Sequence, residues 1–239
     1  MKTNRVLMAI VLLGFLVLAG CRGGRVGKLR SEAQSVKLDG SQPVRVNVDF
    51  GAGNLKLKGG AQQLMEADFT YNVARIRPTV EYARGTLAVS QPTTRGWPDM
   101  RGITGFRNEW DLRLYDDVPM DLTVDVGAGT SDLQVAGLSL TRLKVNQGAG
   151  TGTIDLDGAW TDDLDVTIDA GAADLTVLLP SSVGVRIVVD RGATLVSAPG
   201  LSQDGNVYTN AAYGESEVTL RLKVSGGIGF INLEMAESD

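Results

Sequence analysis

Few side chains in this sequence carry the chemistry that catalysis or metal binding needs. The chain has no His, which removes the commonest general base and the commonest metal ligand. Its one Cys, Cys21, excludes an intrachain disulfide and a Cys-cluster zinc site, and without His there is no Cys-His pair. Adjacent carboxylates at 116–117 and 162–163 would point to opposite faces of a strand, which favours turn positions over an acid-base pair. We therefore predict a protein that is not an enzyme and has no cofactor.

The most regular polar feature is a column of Asp, Asn and Ser residues, each two positions before a Gly. Side-chain oxygens of this kind accept a nearby backbone N–H in an Asx turn, which satisfies a donor at a corner of the chain. Aligned carboxylates beside Gly are also typical of calcium-binding β-rolls, whose repeats are shorter and richer in Asp. The turn role is favoured and no metal is predicted, while a calcium ladder stays the alternative. The column comprises Asp49, Asp125, Asn146, Asp169, Asp190 and Ser225.

The glycines that follow this column reveal an internal repeat. Gly127, Gly148, Gly171 and Gly192 are separated by 21, 23 and 21 residues, a period typical of solenoids. On both sides of each Gly the apolar residues alternate, as at Leu122 and Val124, which indicates two short strands with one buried face each. We predict an all-β solenoid: a stacked, single-stranded, β-helix-like two-sheet architecture of about six coils, with repeats of roughly 21–23 residues.

An outward charge lies four residues before each member of the column. If coils that are consecutive in sequence are neighbours in space, the signs alternate over most of the stack and predict cross-strand ion pairs. These charges are Arg45, Asp121, Arg142, Asp165, Arg186 and Arg221.

The N-terminus has the pattern of an export signal. Lys2 and Arg5 precede an uncharged run, 6–20, that is too short to span the roughly 30 Å of a bilayer core comfortably. Residues 18–21 (LAGC) resemble the lipobox of bacterial lipoproteins, which implies cleavage before Cys21, acylation of Cys21 and attachment to a lipid bilayer. The predicted organisation is a signal peptide at 1–20, a lipidated Cys and basic tether at 21–32, the solenoid domain at 33–235 and a tail at 236–239.

The tether and the domain carry opposite charge. Arg22, Arg25, Lys28 and Arg30 are suited to anionic headgroups, or they belong to a solvated linker, and both interpretations stay open. Because Arg22 is not Asp, the resemblance to lipoproteins favours the outer membrane in a two-membrane organism. The whole chain has 28 acidic against 23 basic residues, and the excess is larger beyond the tether, so nucleic acid is not an expected partner.

A long segment interrupts the repeat between the first two coils. Residues 93–108 combine Arg with aromatic residues, a composition suited to contacting an envelope protein or a glycan. The same aromatic residues are equally suited to capping an open end of the stack, and uncapped edges elsewhere leave a homo-oligomer possible. The candidate partner-binding residues are Arg95, Trp97, Arg101, Phe106 and Arg107.

The order of these motifs resembles the bacterial toast-rack proteins, which are described as putative adhesins and are related to cell-wall-antibiotic-response regulators. The matching features are the Val-Asp-x-Gly-Ala-Gly repeats, 108–114 (NEWDLRL) leading into 118–122 (VPMDL), and 213–216 (YGES) before 226–229 (GGIG). The resemblance covers about 33–235 and implies a stacked β fold, with no catalytic residues to carry over. It favours a membrane-anchored, non-catalytic adhesin-like or scaffold domain. The alternatives are an envelope-stress regulator that binds a membrane sensor or wall fragment and a carbohydrate-active β-helix enzyme.

Overall fold

The computed structural model describes residues 26–40, 42–92 and 105–236. These residues form thirteen β-strands and a 3₁₀ turn at Ala74–Ile76, and they include no α-helix. None of their helical structure is long and apolar enough to cross a membrane. The strands are β1 Arg30–Val36, β2 Val44–Lys58, β3 Met65–Tyr71, β4 Thr79–Ala83, β5 Thr86–Ser90, β6 Asn108–Leu114, β7 Met120–Gln134, β8 Leu140–Asp155, β9 Leu164–Leu179, β10 Gly184–Ser197, β11 Ser202–Asp204, β12 Val207–Thr209 and β13 Thr219–Met235.

Six of these strands are long, and each passes through a glycine-rich corner. In β7 the side chains of Leu122 and Val124 are buried before the corner, and Leu133 is buried after it. The corner itself, 127–129, is a run of Gly and Ala. Because alternate side chains on both halves enter the same core, each long strand contributes one coil with an apolar interior.

The long strands stack in parallel in the order β2-β7-β8-β9-β13-β10. Their halves before the corner form sheet one, which β5 and β4 extend beyond β2, and β12 and β11 extend beyond β10. Their halves after the corner form sheet two, which β6, β3 and β1 extend beyond β2. The all-β solenoid-like two-sheet fold predicted from the sequence is confirmed.

The order of the last two coils differs from the chain order. After β10 the chain forms the β11–β12 hairpin on the outside of sheet one, so the final strand, β13, lies between β9 and β10. Arg221 consequently lies beside Asp165, with 3.8 Å between Nη1 and Oδ1, and Arg186 lies beside Arg221. Among the described residues, this is the one register pair of the predicted charge ladder that lies within ion-pair distance. The assumption that all consecutive coils are neighbours is therefore wrong for β9 and β10, which β13 separates.

The end of the stack nearest the N-terminus is closed by aromatic packing. The indole of Trp110 lies edge-on to Phe50 and Phe69, with ring centroids 5.0 and 5.3 Å apart. β1 then begins at Arg30, so residues 30–32 belong to the sheet rather than to the tether in which the sequence placed them. Glu32 explains this, since it accepts hydrogen bonds from Tyr71 Oη (2.6 Å) and from the guanidinium of Arg77 (2.9 Å).

Candidate binding surfaces

The Asp, Asn and Ser column forms one row across the six coils. Its members are half-buried or exposed beside the corner and follow the stacking order rather than the chain order. The order is Asp49, Asp125, Asn146, Asp169, Ser225 and Asp190.

The expected Asx turns are not formed in this row. Gly51 N–H donates instead to Gln91 Oε1 at 2.7 Å, and Asn146 donates its side-chain amide to Asp125 on the neighbouring coil. The physical reason is that each strand stays paired with its neighbours on both sides of the corner, so the side chains reach across coils rather than along the chain. Within the row, the hydrogen bond between Asn146 and Asp125 therefore joins two neighbouring coils.

The row does not assemble a metal site within the described residues, where no group of three or more carboxylate, Cys or His side chains has ligating geometry. Partial burial of the Asp49 carboxyl raises its pKa, and the neighbouring charge of Asp125 raises it further.

Close approach of successive corners explains why Gly occupies several of their positions. Gly150 has a φ of +112°, and a Cβ added there would lie 2.1 Å from the carbonyl oxygen of Gly129 on the preceding coil. Both the backbone conformation and the space exclude a side chain at this position. The corner therefore presents a smooth surface built from backbone and small side chains.

The described part of the interrupting segment is its C-terminal base. Asn72 holds this base by donating to Gly105 O (2.5 Å) and accepting from Arg107 N–H (3.0 Å). Phe106 is half-buried against the core, and Arg107 pairs with Glu109 at 2.7 Å. The charge of Arg107 is therefore balanced within the molecule, and Phe106 fits a capping role. Arg95, Trp97 and Arg101 lie outside the described residues, as does Cys21.

The adjacent carboxylates lie outside the strands. Asp116 Oδ1 accepts Gly60 N–H at 2.8 Å. Asp163 Oδ1 accepts Thr219 N–H at 2.8 Å and its Oδ2 pairs with Arg221 at 2.5 Å; these contacts, the first above all, lower the pKa of Asp163. Both carboxylates tie separate coils together.

An apolar patch that sequence reasoning missed lies at the far end of sheet two. It consists of three large apolar side chains, of which Leu195 is 62%, Ile228 67% and Phe230 58% exposed. Leu195 on β10 lies directly beside Phe230 on β13. Contiguous exposed apolar groups of this kind mark interaction surfaces. We call these three residues the distal patch.

The register shows that the distal patch departs from the rest of the stack. The position of Ile228 is occupied by Ala on each of the five other coils: Ala52, Ala128, Ala149, Ala172 and Ala193. The row of Phe230 and Leu195 is polar elsewhere: Asn54, Thr130, Thr151 and Asp174. The signal was present in the sequence alignment of the repeats, but which of these residues borders the open edge depends on the order of the strands in the stack.

A polar hollow of about 240 Å³ adjoins the patch on the same face. Thr151, Thr153 and Thr176 line it, together with Asn232 and Asp174. Asp174 Oδ1 accepts the N–H of Phe230 at 2.9 Å, which holds this end of β13 against β9. The patch therefore has an apolar centre and a polar rim, the usual composition of a protein-binding surface.

The fold agrees with comparisons to known proteins. The family model of the N-terminal domain of toast_rack, DUF2154, matches residues 25–178. The chain belongs to this toast_rack family. Its toast_rack fold is similar to the crystal structure of a "putative cell adhesion protein" from Clostridium sporogenes ATCC 15579, at 28% identity and a TM-score of 0.82. That alignment covers 87% of this chain and 100% of the other.

A weaker match to this toast_rack chain is a "putative adhesin" (BF0245) from Bacteroides fragilis NCTC 9343, at 9% identity, with 86% of this chain and 97% of the other covered. A "putative lipid binding protein" from Parabacteroides distasonis ATCC 8503 matches at 9% identity, over 88% of this chain and 98% of the other. Their TM-scores of 0.27 and 0.29 are too low to support an inference. No curated protein matches the chain.

Proposed function

We propose that this toast_rack protein is an exported lipoprotein, held in a membrane by acylated Cys21, and that it acts by binding as an adhesin-like or scaffold domain without catalysis. The motif at 18–21 supports the anchor, and two or more acyl chains give essentially permanent attachment. In a two-membrane organism we propose the outer membrane. The 28% identical Clostridium sporogenes protein, described as a putative cell adhesion protein, supports a binding role.

The observation that carries this proposal is the distal patch. Burying an exposed Leu, Ile or Phe side chain contributes roughly 1.5–3 kcal/mol each, so a partner that covers the patch gains a substantial part of its binding energy there. The chain enters the described fold at Val26, beside β1, and β10 lies eight strands away in sheet two. At about 4.8 Å per strand, the patch is about 38 Å from the anchored end. A partner can therefore reach it without competing with the anchor.

The experiment that tests this proposal is in-cell crosslinking followed by mass spectrometry. The parent is compared with the variant Leu195→Thr/Ile228→Ala/Phe230→Thr, which gives the patch the residue types of the other coils. The matched control is Asn54→Ala, an exposed position in the same row on β2. We expect the patch variant to capture at least about tenfold less of the envelope component than the parent, and the control to capture as much as the parent. Full capture by the patch variant would refute the patch as the binding surface.

Two further variants separate the alternatives. Cys21→Ser is expected to move the protein from the membrane fraction to the soluble exported fraction, and continued membrane attachment would refute the lipid anchor. Trp97→Ala/Arg101→Ala/Phe106→Ala tests the segment that the sequence nominated. Loss of capture in this variant alone would transfer the binding role from the distal patch to the segment 93–108.

A further inference from the structure

The distal patch borders the open edge of sheet two. Residues 193–197 of β10 (ATLVS) pair with β13 on one side. β12 pairs with β10 only at Arg186–Val188, which lie in sheet one. Within the described residues no strand lies on the other side of 193–197. This five-residue edge carries no charge, and Leu195 projects from it into solvent. An edge of this kind is a template for a further strand.

The other edges of the two sheets are protected in the ways that natural sheets use. β1 carries Arg30 and Glu32, β4 carries Glu81, and β11 is three residues long with Asp204 at its end. Charges and short length both disfavour edge-to-edge pairing. The edge at 193–197 has neither protection. The edge at 193–197 is therefore the one at which a partner strand pairs most readily. The charged or short edges of a second copy are poorly suited to pair with it.

The segment that best complements this edge is the same segment of another copy. Antiparallel pairing about a two-fold axis at Leu195 places Ala193 opposite Ser197 of the partner copy, and no two charges face each other within the paired stretch. On the outer face the two copies then form a continuous apolar row, in which Leu195 meets Leu195 of the other copy and a Phe230 lies on each outer side of that pair. A charged partner segment would leave its charge beside these apolar side chains.

The position of the anchored end permits this arrangement. Because the chain enters at β1, the two anchors of such a dimer lie at opposite ends of an eighteen-stranded sheet, about 80 Å apart. The three patch residues expose on the order of 300 Å² per copy, below the roughly 800 Å² per partner of a standard stable interface. Pairing is thus weak in dilute solution and favoured where anchored copies are concentrated on a surface.

We propose that two copies of this protein pair antiparallel through residues 193–197, with Leu195 at the two-fold axis and the distal patches joined. This rests on the proposed function, which makes the distal patch a binding surface, and it names a second copy as the partner. The anchors at the two ends allow the dimer to join neighbouring molecules on one membrane or to bridge two membranes.

Disulfide trapping tests the pairing directly. The full lipoprotein with Leu195→Cys is reconstituted in vesicles of phosphatidylethanolamine and phosphatidylglycerol and oxidised gently. The two-fold axis brings the paired Cα atoms to about 4.5–5.5 Å, within disulfide range, so most of the variant is expected to become a covalent dimer. Thr130→Cys, an exposed position on the same face four strands away, is expected to stay monomeric. If the Thr130→Cys protein dimerises equally, collisions rather than pairing explain the trapping, and the proposal is overturned.

A charge on the edge supplies the second test. Leu195→Lys places two like charges at the two-fold axis. We expect it to reduce crosslinking of the vesicle-bound protein, by a reagent that does not react with amines, by at least about tenfold. Its thermal unfolding is expected to be unchanged. If Leu195→Cys does not dimerise while the patch variant still loses envelope capture, the second copy is the wrong partner and the proposed function stands. If capture also survives in the patch variant, both proposals fail.

Discussion

The corner at Gly150 allows backbone strain and steric conflict to be measured separately in one protein. In Gly150→Ala, the φ of +112° costs about 1–3 kcal/mol for a residue with a side chain. The new Cβ would also lie 2.1 Å from the Gly129 carbonyl oxygen, which no side-chain rotation relieves, and overpacking of this kind costs about 1–3 kcal/mol more. We expect a total loss of about 2–6 kcal/mol in the free energy of unfolding. At about 2–4 °C per kcal/mol for a domain of this size, the melting temperature falls by roughly 4–24 °C.

Two matched variants isolate the contributions. Gly137→Ala has a positive φ of +91° with no atom within 4 Å of the new Cβ, so it tests strain alone. Gly148→Ala has no positive φ but would place its Cβ 2.4 Å from the Gly127 carbonyl oxygen, so it tests the steric conflict alone. Thermal and urea unfolding of the purified protein measure all three. The reasoning is refuted if Gly150→Ala is no less stable than Gly137→Ala.

Three other predictions concern stability. Because the pKa of Asp163 is lowered in the fold, its ionised form stabilises the protein above the ordinary value of 3.8. This stabilisation is lost as the pH falls through the folded-state pKa. Asp163→Asn should therefore be less stable than the parent at neutral pH, and the difference should vanish in acid. The pKa of Asp49 is raised instead, so ionisation of its carboxyl lowers the stability of the fold above the folded-state pKa. Asp49→Asn should therefore stabilise the protein at neutral pH but not below pH 3.8. Equal effects at both pH values would contradict this reasoning. Trp110→Ala should lower the free energy of unfolding by about 3–5 kcal/mol, because it removes the aromatic packing at the end of the stack. Urea unfolding measures this loss. A loss below about 1 kcal/mol would show that the neighbouring rings fill the space.

Much of the local structure was predictable from short-range pattern. The alternation of Leu122 and Val124 before the corner and of Leu133 after it requires only that one face of an extended chain be buried. The spacing of the glycines aligned all six coils in register, and the structure places them so. The Asx turn was a poorer prediction, because the side chain of Asn146 has a partner on the adjacent coil that no local pattern reveals.

The binding surface could not be found from local pattern alone. Phe230 interrupts a polar row, and that row points outward on interior coils too, since Thr130 and Thr151 are exposed. Which residue of the row borders an open edge follows from the position of β10 at the end of the stack and from the end of β12 at Thr209, on sheet one only. The segment 93–108 stood out in sequence because it is long, whereas the distal patch occupies regular strands and leaves no gap in the repeat.

The amino-acid sequence by itself determined the strands, their glycine corners and their mutual register, because these depend on side-chain alternation and on backbone conformations within a few residues. It also carries the lipobox-like motif on which the proposed anchor rests. Only the tertiary structure decided that β13 is inserted before β10, and with it which edge stays open and that Leu195 lies at that edge. Parallel strands pair with segments far away in the chain, and several orders satisfy the same local pattern. The choice among them depends on how the whole stack is closed at its ends.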